Sequence, residues 1–74
     1  MNNPKYTIAY RFTNGNTHET YLVFNSITEA KHYADNTIDN DKDIETIVID
    51  ELDPFGDPNG TIMYKDKGSS WVNW

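Results

Sequence analysis

The sequence predicts an α+β fold in which one helix packs on one face of a four-stranded antiparallel sheet. Three observations predict it: apolar residues alternate with polar ones in KYTIAYRF (5–12), recur at helical spacing over 27–38, and include a β-branched run in IETIVIDEL (44–52). Since 74 residues allow only one compact core, we expect a single domain, 1–74.

The first two strands are predicted as a hairpin. Asn14-Gly15 follows the first strand and suits a tight turn, because its residues adopt positive φ readily. We expect the second strand at 17–24, with its register open. A two-residue loop would place Tyr21 and Val23 beside Tyr6 and Ile8, whereas a three-residue loop with a bulge would place Leu22 and Phe24 there.

A helix is predicted over 27–38. Ser26 and Glu29 have the spacing of a capping box, in which each side chain accepts a hydrogen bond from a backbone amide at the helix start. An apolar stripe is expected at Ile27, Ala30, Ala34 and Ile38. This stripe predicts that the helix covers the sheet.

The second half of the chain is predicted as another hairpin. The third strand spans 44–52, a type I turn is expected at 57–60, and the fourth strand spans 61–66 as an edge guarded by Lys65 and Lys67. A right-handed crossover through the helix then gives the arrangement ββαββ with strand order 2-1-3-4.

One helix covers only one face of such a sheet. We expect the other face to be shielded by the tail that carries Trp71 and Trp74, by a second copy of the chain or by a partner. The apolar residues predicted on that face are Ala9, Leu22 or Tyr21, Val48 and Met63.

Charge is distributed unevenly along the chain. Residues 35–57 carry nine acids and one base, a net charge of −8, whereas the rest of the chain sums to +2. The overall charge of −6 argues against direct binding to nucleic acid or to an anionic membrane, since both require Lys and Arg. The acidic segment instead suits a basic protein surface, either as a docking site or as an imitation of nucleic acid phosphates.

Catalysis and metal binding have little support. His18 and His32 have no metal-ligand spacing and are expected to be exposed, and cysteine is absent. The Asp39-x-Asp41-x-Asp43 spacing resembles the start of a calcium loop, but Ile44 stands where such loops need glycine, and a predicted strand follows. We therefore expect no enzyme, no cofactor and no metal.

The function predicted from the sequence is that of a small acidic interaction module or inhibitor that docks onto a basic protein. The alternative is a self-associating protein that buries its uncovered sheet face in a homodimer, with acids serving only solubility. No apolar run suits a membrane span and MNNPKYT lacks a signal-peptide pattern, so we expect a cytoplasmic protein. The expected partner-binding residues are Asp39, Asp41, Asp43, Glu45, Asp50, Glu51, Asp53, Phe55, Asp57, Trp71 and Trp74.

Overall fold

A computed structural model describes residues 4–74 and shows one helix on an antiparallel sheet of five strands. The elements are β1 (Lys5–Phe12), β2 (Thr17–Glu19), α1 (Ile27–Asn40), β3 (Ile44–Leu52), β4 (Pro58–Asp66) and β5 (Val72–Asn73). The strand order is β2-β1-β3-β4-β5, so the α+β class and the predicted order of the first four strands are confirmed. The signal-peptide prediction rests partly on residues 1–3, which lie outside the described residues.

The predicted strand count was wrong by one. Val72 pairs with Tyr64, and Asn73 pairs with Met63, so the chain end adds β5 to the sheet. This makes β4 an interior strand rather than the predicted edge. The edge positions are held instead by β2 and β5, of three and two residues. Very short edge strands offer little free backbone for pairing with another chain.

The first hairpin adopts the three-residue loop. The Phe12 amide donates to the Asn16 carbonyl at 2.8 Å, and Gly15 takes a φ of 91°. Phe24 pairs with Tyr6, as this alternative predicted, but Leu22 is 39% exposed. The regular strand ends at Glu19 rather than at 24, because the chain bulges away from β1 before it returns at Phe24.

The helix begins as predicted and runs two residues further than expected. Ser26 Oγ accepts a hydrogen bond from the Glu29 amide at 3.1 Å. The Glu29 carboxylate accepts from the Asn25 amide rather than from that of Ser26, so the capping box reaches one residue further back. Asp41 ends the helix, and its amide still donates to the Thr37 carbonyl.

The core lies between α1 and the two central strands. Ile8 lies opposite Ile49 across β1 and β3, and both are fully buried with Ile47 on the same face. The helix contributes small residues, so its axis can lie close to the sheet. The buried cluster comprises Ile8, Ala30, Ala34, Ile38, Ile44, Ile47 and Ile49. Ile27, expected in the apolar stripe of the helix, is only half-buried, as is Tyr10, which packs against this cluster from β1.

The second hairpin turns earlier than predicted. The Gly56 amide donates to the Asp53 carbonyl at 3.0 Å, and Gly56 has a φ of 87°, so the turn lies at 53–56. Residues 58–60, predicted as part of the turn, already belong to β4. Within the described part of the chain, no helix is long and apolar enough to cross a membrane.

The face of the sheet opposite the helix is open along its middle. Four residues in register form a row across it, from Ala9 on β1 through Val48 and Tyr64 to Val72 on β5. We call this row, together with Trp74, the open face. Met63 was predicted on this face, and that prediction was wrong. Met63 pairs with Ile49, whose side chain lies on the helix side, so the observed register turns Met63 toward the helix.

Candidate functional site

The predicted acidic segment is divided between two ends of the molecule. β3 runs through its middle with nine residues, and its two ends lie about 26 Å apart at about 3.3 Å per residue. This separation exceeds the Debye length of about 8 Å at physiological salt. The acids before β3 and those at its far end therefore act as two separate charge groups.

The acids just before β3 and at its start form the loop-end group: Asp39, Asp41, Asp43 and Glu45. Basic residues accompany them. Arg11 Nε lies 3.4 Å from the Glu45 carboxylate, and Lys67 Nζ donates to the Asp41 backbone carbonyl at 2.8 Å. Asp66, which pairs with Thr46, is a fifth acid at this end, so Lys42, Arg11 and Lys67 offset three of five acidic charges.

One aspartate of the calcium-like spacing, Asp41, bonds within the loop. Asp41 Oδ1 accepts from the Asp43 amide at 2.9 Å, which shapes the turn into β3. Among residues 4–74, no group of three or more histidine or acidic side chains is arranged to hold a metal ion.

The acids at the far end of β3 are joined by one from β2. Glu19 lies opposite Ala9, on the same side of the sheet as Asp50, and both line a cavity with Asp57. We call Glu19, Asp50, Asp53 and Asp57 the turn-end cluster. Glu51, also predicted for partner binding, lies opposite Tyr6 and therefore on the helix side of the sheet. Lys5 also lies at this end, where it pairs with Leu52 and its ammonium donates to Asn25 Oδ1.

Hydrogen bonds hold two carboxylates of the turn-end cluster in place. Asp50 Oδ1 accepts from the Thr61 hydroxyl at 2.7 Å, across the β3–β4 pair. Asp53 Oδ1 accepts from the amides of Phe55 and Asp57, each at 2.9 Å, and so shapes the turn. Phe55 stands at the tip of this turn with 90% of its surface exposed.

A partly enclosed cavity of about 140 Å³ lies on the sheet face opposite the helix, at the end where the turn-end cluster sits. Its polar walls are Thr7, Glu19, Asp50 and Asp57. Its apolar walls include Tyr21, Val23 and Leu52. None of the described residues that line it is basic. We call it the acidic cavity.

The bulge after β2 builds one wall of the acidic cavity. The amide and hydroxyl of Thr20 both donate to the Ile8 carbonyl, at 3.2 and 2.9 Å. Thr20 Oγ1 also accepts from the Leu22 amide, and Tyr21 between them has a φ of 57°. Such a backbone angle is unusual for a bulky residue and persists only where surrounding bonds fix it.

The two terminal tryptophans lie on opposite faces of the sheet. Trp71 is half-buried on the helix side, where its Nε1 donates to Asp35 Oδ1 at 3.1 Å. Trp74 packs edge-to-face on Tyr64, with ring centroids 5.9 Å apart, and remains 79% exposed on the open face. They therefore do not form one surface, and only Trp74 contributes to shielding the open face.

Thr7, Glu19 and Tyr21 were missed as site residues by the sequence reasoning. The signal that could have found them is the register of the first hairpin, because the three-residue loop places Glu19 opposite Ala9. His18 and His32 are exposed, as predicted. Comparisons with protein-family models, with curated proteins and with solved structures gave no match to this chain.

Proposed function

We propose that this chain is a small acidic binding protein that docks onto a basic surface of another protein and competes there with nucleic acid. One observation carries the proposal: the fold adds Glu19 to the acids of the β3–β4 turn, around a cavity lined by no base among the described residues. Local carboxylates fixed on a scaffold attract a basic surface and speed its association.

The turn-end cluster suits docking better than the loop-end group. Three bases, Arg11, Lys42 and Lys67, accompany the loop-end acids, whereas Lys5 is the one base described at the turn end, so more of the loop-end charge is offset. At the turn end, Asp50 and Asp53 are already ordered by hydrogen bonds, which lowers the entropy lost when a partner binds.

Phe55 adds an apolar contact to the same surface. Its ring is 90% exposed between Asp53 and Asp57, so a partner that meets these acids also meets the ring. Aromatic side chains surrounded by polar groups are common anchors of protein interfaces. We therefore place the docking surface on the turn-end cluster with Phe55 at its tip.

The experiment compares two charge-reversed pairs with the same net charge. Glu19→Lys with Asp57→Lys alters the turn end, and Asp39→Lys with Asp43→Lys alters the loop end as the control; all four residues are exposed. Immobilised protein is used to capture proteins from extract of the source cells at about 0.1 M and about 1 M salt, where the Debye length is about 10 and 3 Å. The captured protein is then purified for rate measurements.

We expect a basic partner that is released at high salt and by added DNA. The turn-end pair should slow association at least about tenfold, and the loop-end pair should leave it nearly unchanged. Equal losses in both pairs would show that only net charge matters, and unchanged binding in both would show that the turn-end cluster is not the docking surface.

A second function is favoured by the open face. Ala9, Val48, Tyr64 and Val72 form an apolar row that no second layer within residues 4–74 covers, and Trp74 extends it. We propose as the alternative that two copies pair through this face, so that the acids serve only solubility. Sedimentation over a range of concentrations tests it: a dimer should persist at high salt and be weakened by Trp74→Ala, but not by the control Phe55→Ala.

A further inference from the structure

Thr7, one of the residues that line the acidic cavity, has a buried hydroxyl without a hydrogen-bond partner among the described residues. Only 7% of the surface of Thr7 is exposed. Thr7 lies directly opposite Asp50 across the β1–β3 pair, and both side chains project from the sheet face that carries the cavity. A buried polar atom without a partner costs free energy, and a hydrogen-bond donor that reached it from the cavity would recover part of that cost.

The charge of the walls selects a cation. Glu19, Asp50 and Asp57 line the cavity, and no described lining residue supplies a compensating base. A metal ion suits the cavity poorly, since no three histidine or acidic groups of residues 4–74 are arranged as ligands. An organic cation with several hydrogen-bond donors suits it better, because the acceptors are spread over several walls.

The size and the apolar walls narrow the choice to a guanidinium on an alkyl stem. The volume of about 140 Å³ is well above what a single water molecule needs, so the cavity has room for a side-chain head group. Leu52 and Val23 provide apolar contact for a stem, and the Tyr21 ring at the rim can stack on a planar cation. Guanidinium has five N–H donors in one plane, whereas an ammonium is a compact, strongly hydrated charge.

We propose that the acidic cavity binds the side chain of an arginine that projects from the basic partner protein. This inference rests on the proposed docking function and names the group that the turn-end cluster recognises. The guanidinium donates to the Asp50 carboxylate and to the Thr7 hydroxyl, and Glu19 and Asp57 flank it at the entrance.

The test is a titration of the full chain, labelled with ¹⁵N, with N-acetyl-arginine amide. N-acetyl-citrulline amide is the control ligand, because it has nearly the same shape without the charge. We expect saturable shifts at the amides around Thr7, Glu19 and Asp50, with a Kd on the order of 1–10 mM for arginine and at least about tenfold weaker binding for citrulline. Shifts elsewhere, no saturation or equal binding of the two amides would contradict the proposal.

Three variants make the result specific. Thr7→Val and Asp50→Asn should each weaken arginine binding by about fivefold or more. The first removes the hydroxyl that accepts from the guanidinium, and the second removes the negative charge of the carboxylate that accepts from it. Asp39→Asn removes the same charge at the loop end and should leave the Kd unchanged. The asparagine at position 50 can still accept from Thr61, and the amide spectrum of each variant reports whether it remains folded.

The outcome separates this inference from the docking function. If arginine amide does not bind but partner capture still requires Glu19 and Asp57, the cavity assignment is wrong and the docking function stands. If arginine amide binds in the cavity but the turn-end pair does not affect capture, the docking function is wrong and the cation site stands.

Discussion

Lys65 of β4 and Asp35 of α1 join the helix to the sheet, with Lys65 Nζ 2.8 Å from Asp35 Oδ1. The same oxygen accepts from Trp71 Nε1 at 3.1 Å, so one carboxylate connects the helix, β4 and the segment that leads into β5. Lys65 is the more buried partner, with 15% of its side chain exposed against 43% for Asp35. The sequence pattern predicted Lys65 on an edge strand, but β4 is an interior strand and Lys65 joins it to the helix.

Asp35→Ala should therefore lower the free energy of unfolding by about 1–3 kcal/mol, because it leaves both the Lys65 ammonium and the Trp71 N–H without their acceptor. Asp39→Ala, four residues further along the helix and exposed, is the matched control and should have almost no effect. Urea unfolding followed by tryptophan fluorescence measures both. Equal stability of the two variants would show that the Asp35 contacts contribute nothing.

Ile47→Ala should destabilise the fold by about 2–4 kcal/mol, because Ile47 is fully buried beneath the helix and its truncation leaves a cavity. Val48→Ala, on the next residue but on the open face, should cost clearly less, since Val48 is only half-buried. Thermal unfolding of the two variants gives the comparison. A larger loss from Val48→Ala would indicate that the open face is covered in solution, as the homodimer alternative requires.

Thr7→Val should raise the free energy of unfolding by about 1 kcal/mol, because it replaces a buried hydroxyl that has no partner within residues 4–74. Thr61→Val is the contrasting substitution and should lower stability by about the same amount, because it removes the hydrogen bond to Asp50. Chemical denaturation of the two variants measures whether the free energy of unfolding rises or falls in each. Destabilisation by Thr7→Val would mean that the hydroxyl is already satisfied, which removes the support for the acidic cavity as a cation site.

Millimolar calcium should leave the melting temperature unchanged within about 1 °C, because Asp41 Oδ1 is bonded to the Asp43 amide and its carbonyl is occupied by Lys67 Nζ. A specific site would instead stabilise the fold by about 2.7 kcal/mol at a hundredfold excess over its Kd. The measurement is a comparison of melting temperatures with calcium, with magnesium and with neither ion. A rise of several degrees with calcium that Asp41→Asn abolishes would establish the site.

Local sequence patterns predicted the helix and strands well where a short segment itself contains the turn residues, the capping residues or the apolar alternation that form the element. Asn14-Gly15 predicted a tight turn, Ser26 and Glu29 the helix start, and Ile47 and Ile49 a buried strand face. These patterns failed where a segment becomes a strand only by pairing with residues far away in the chain. Val72 and Asn73 have no strand signal of their own, and they pair only because β4 presents a free edge to them.

The candidate site shows the same division. Composition and residue periodicity were enough to predict an acidic chain, a concentration of acids between 35 and 57 and an α+β domain that carries them, because these are local properties. The separation of these acids into two ends by β3, and the addition of Glu19 to one of them, depend on how distant segments pair. That outcome follows from hairpin register, since moving a strand by one residue turns every side chain to the opposite face. The acidic cavity exists because this register places Thr7, Glu19 and Asp50 on one face.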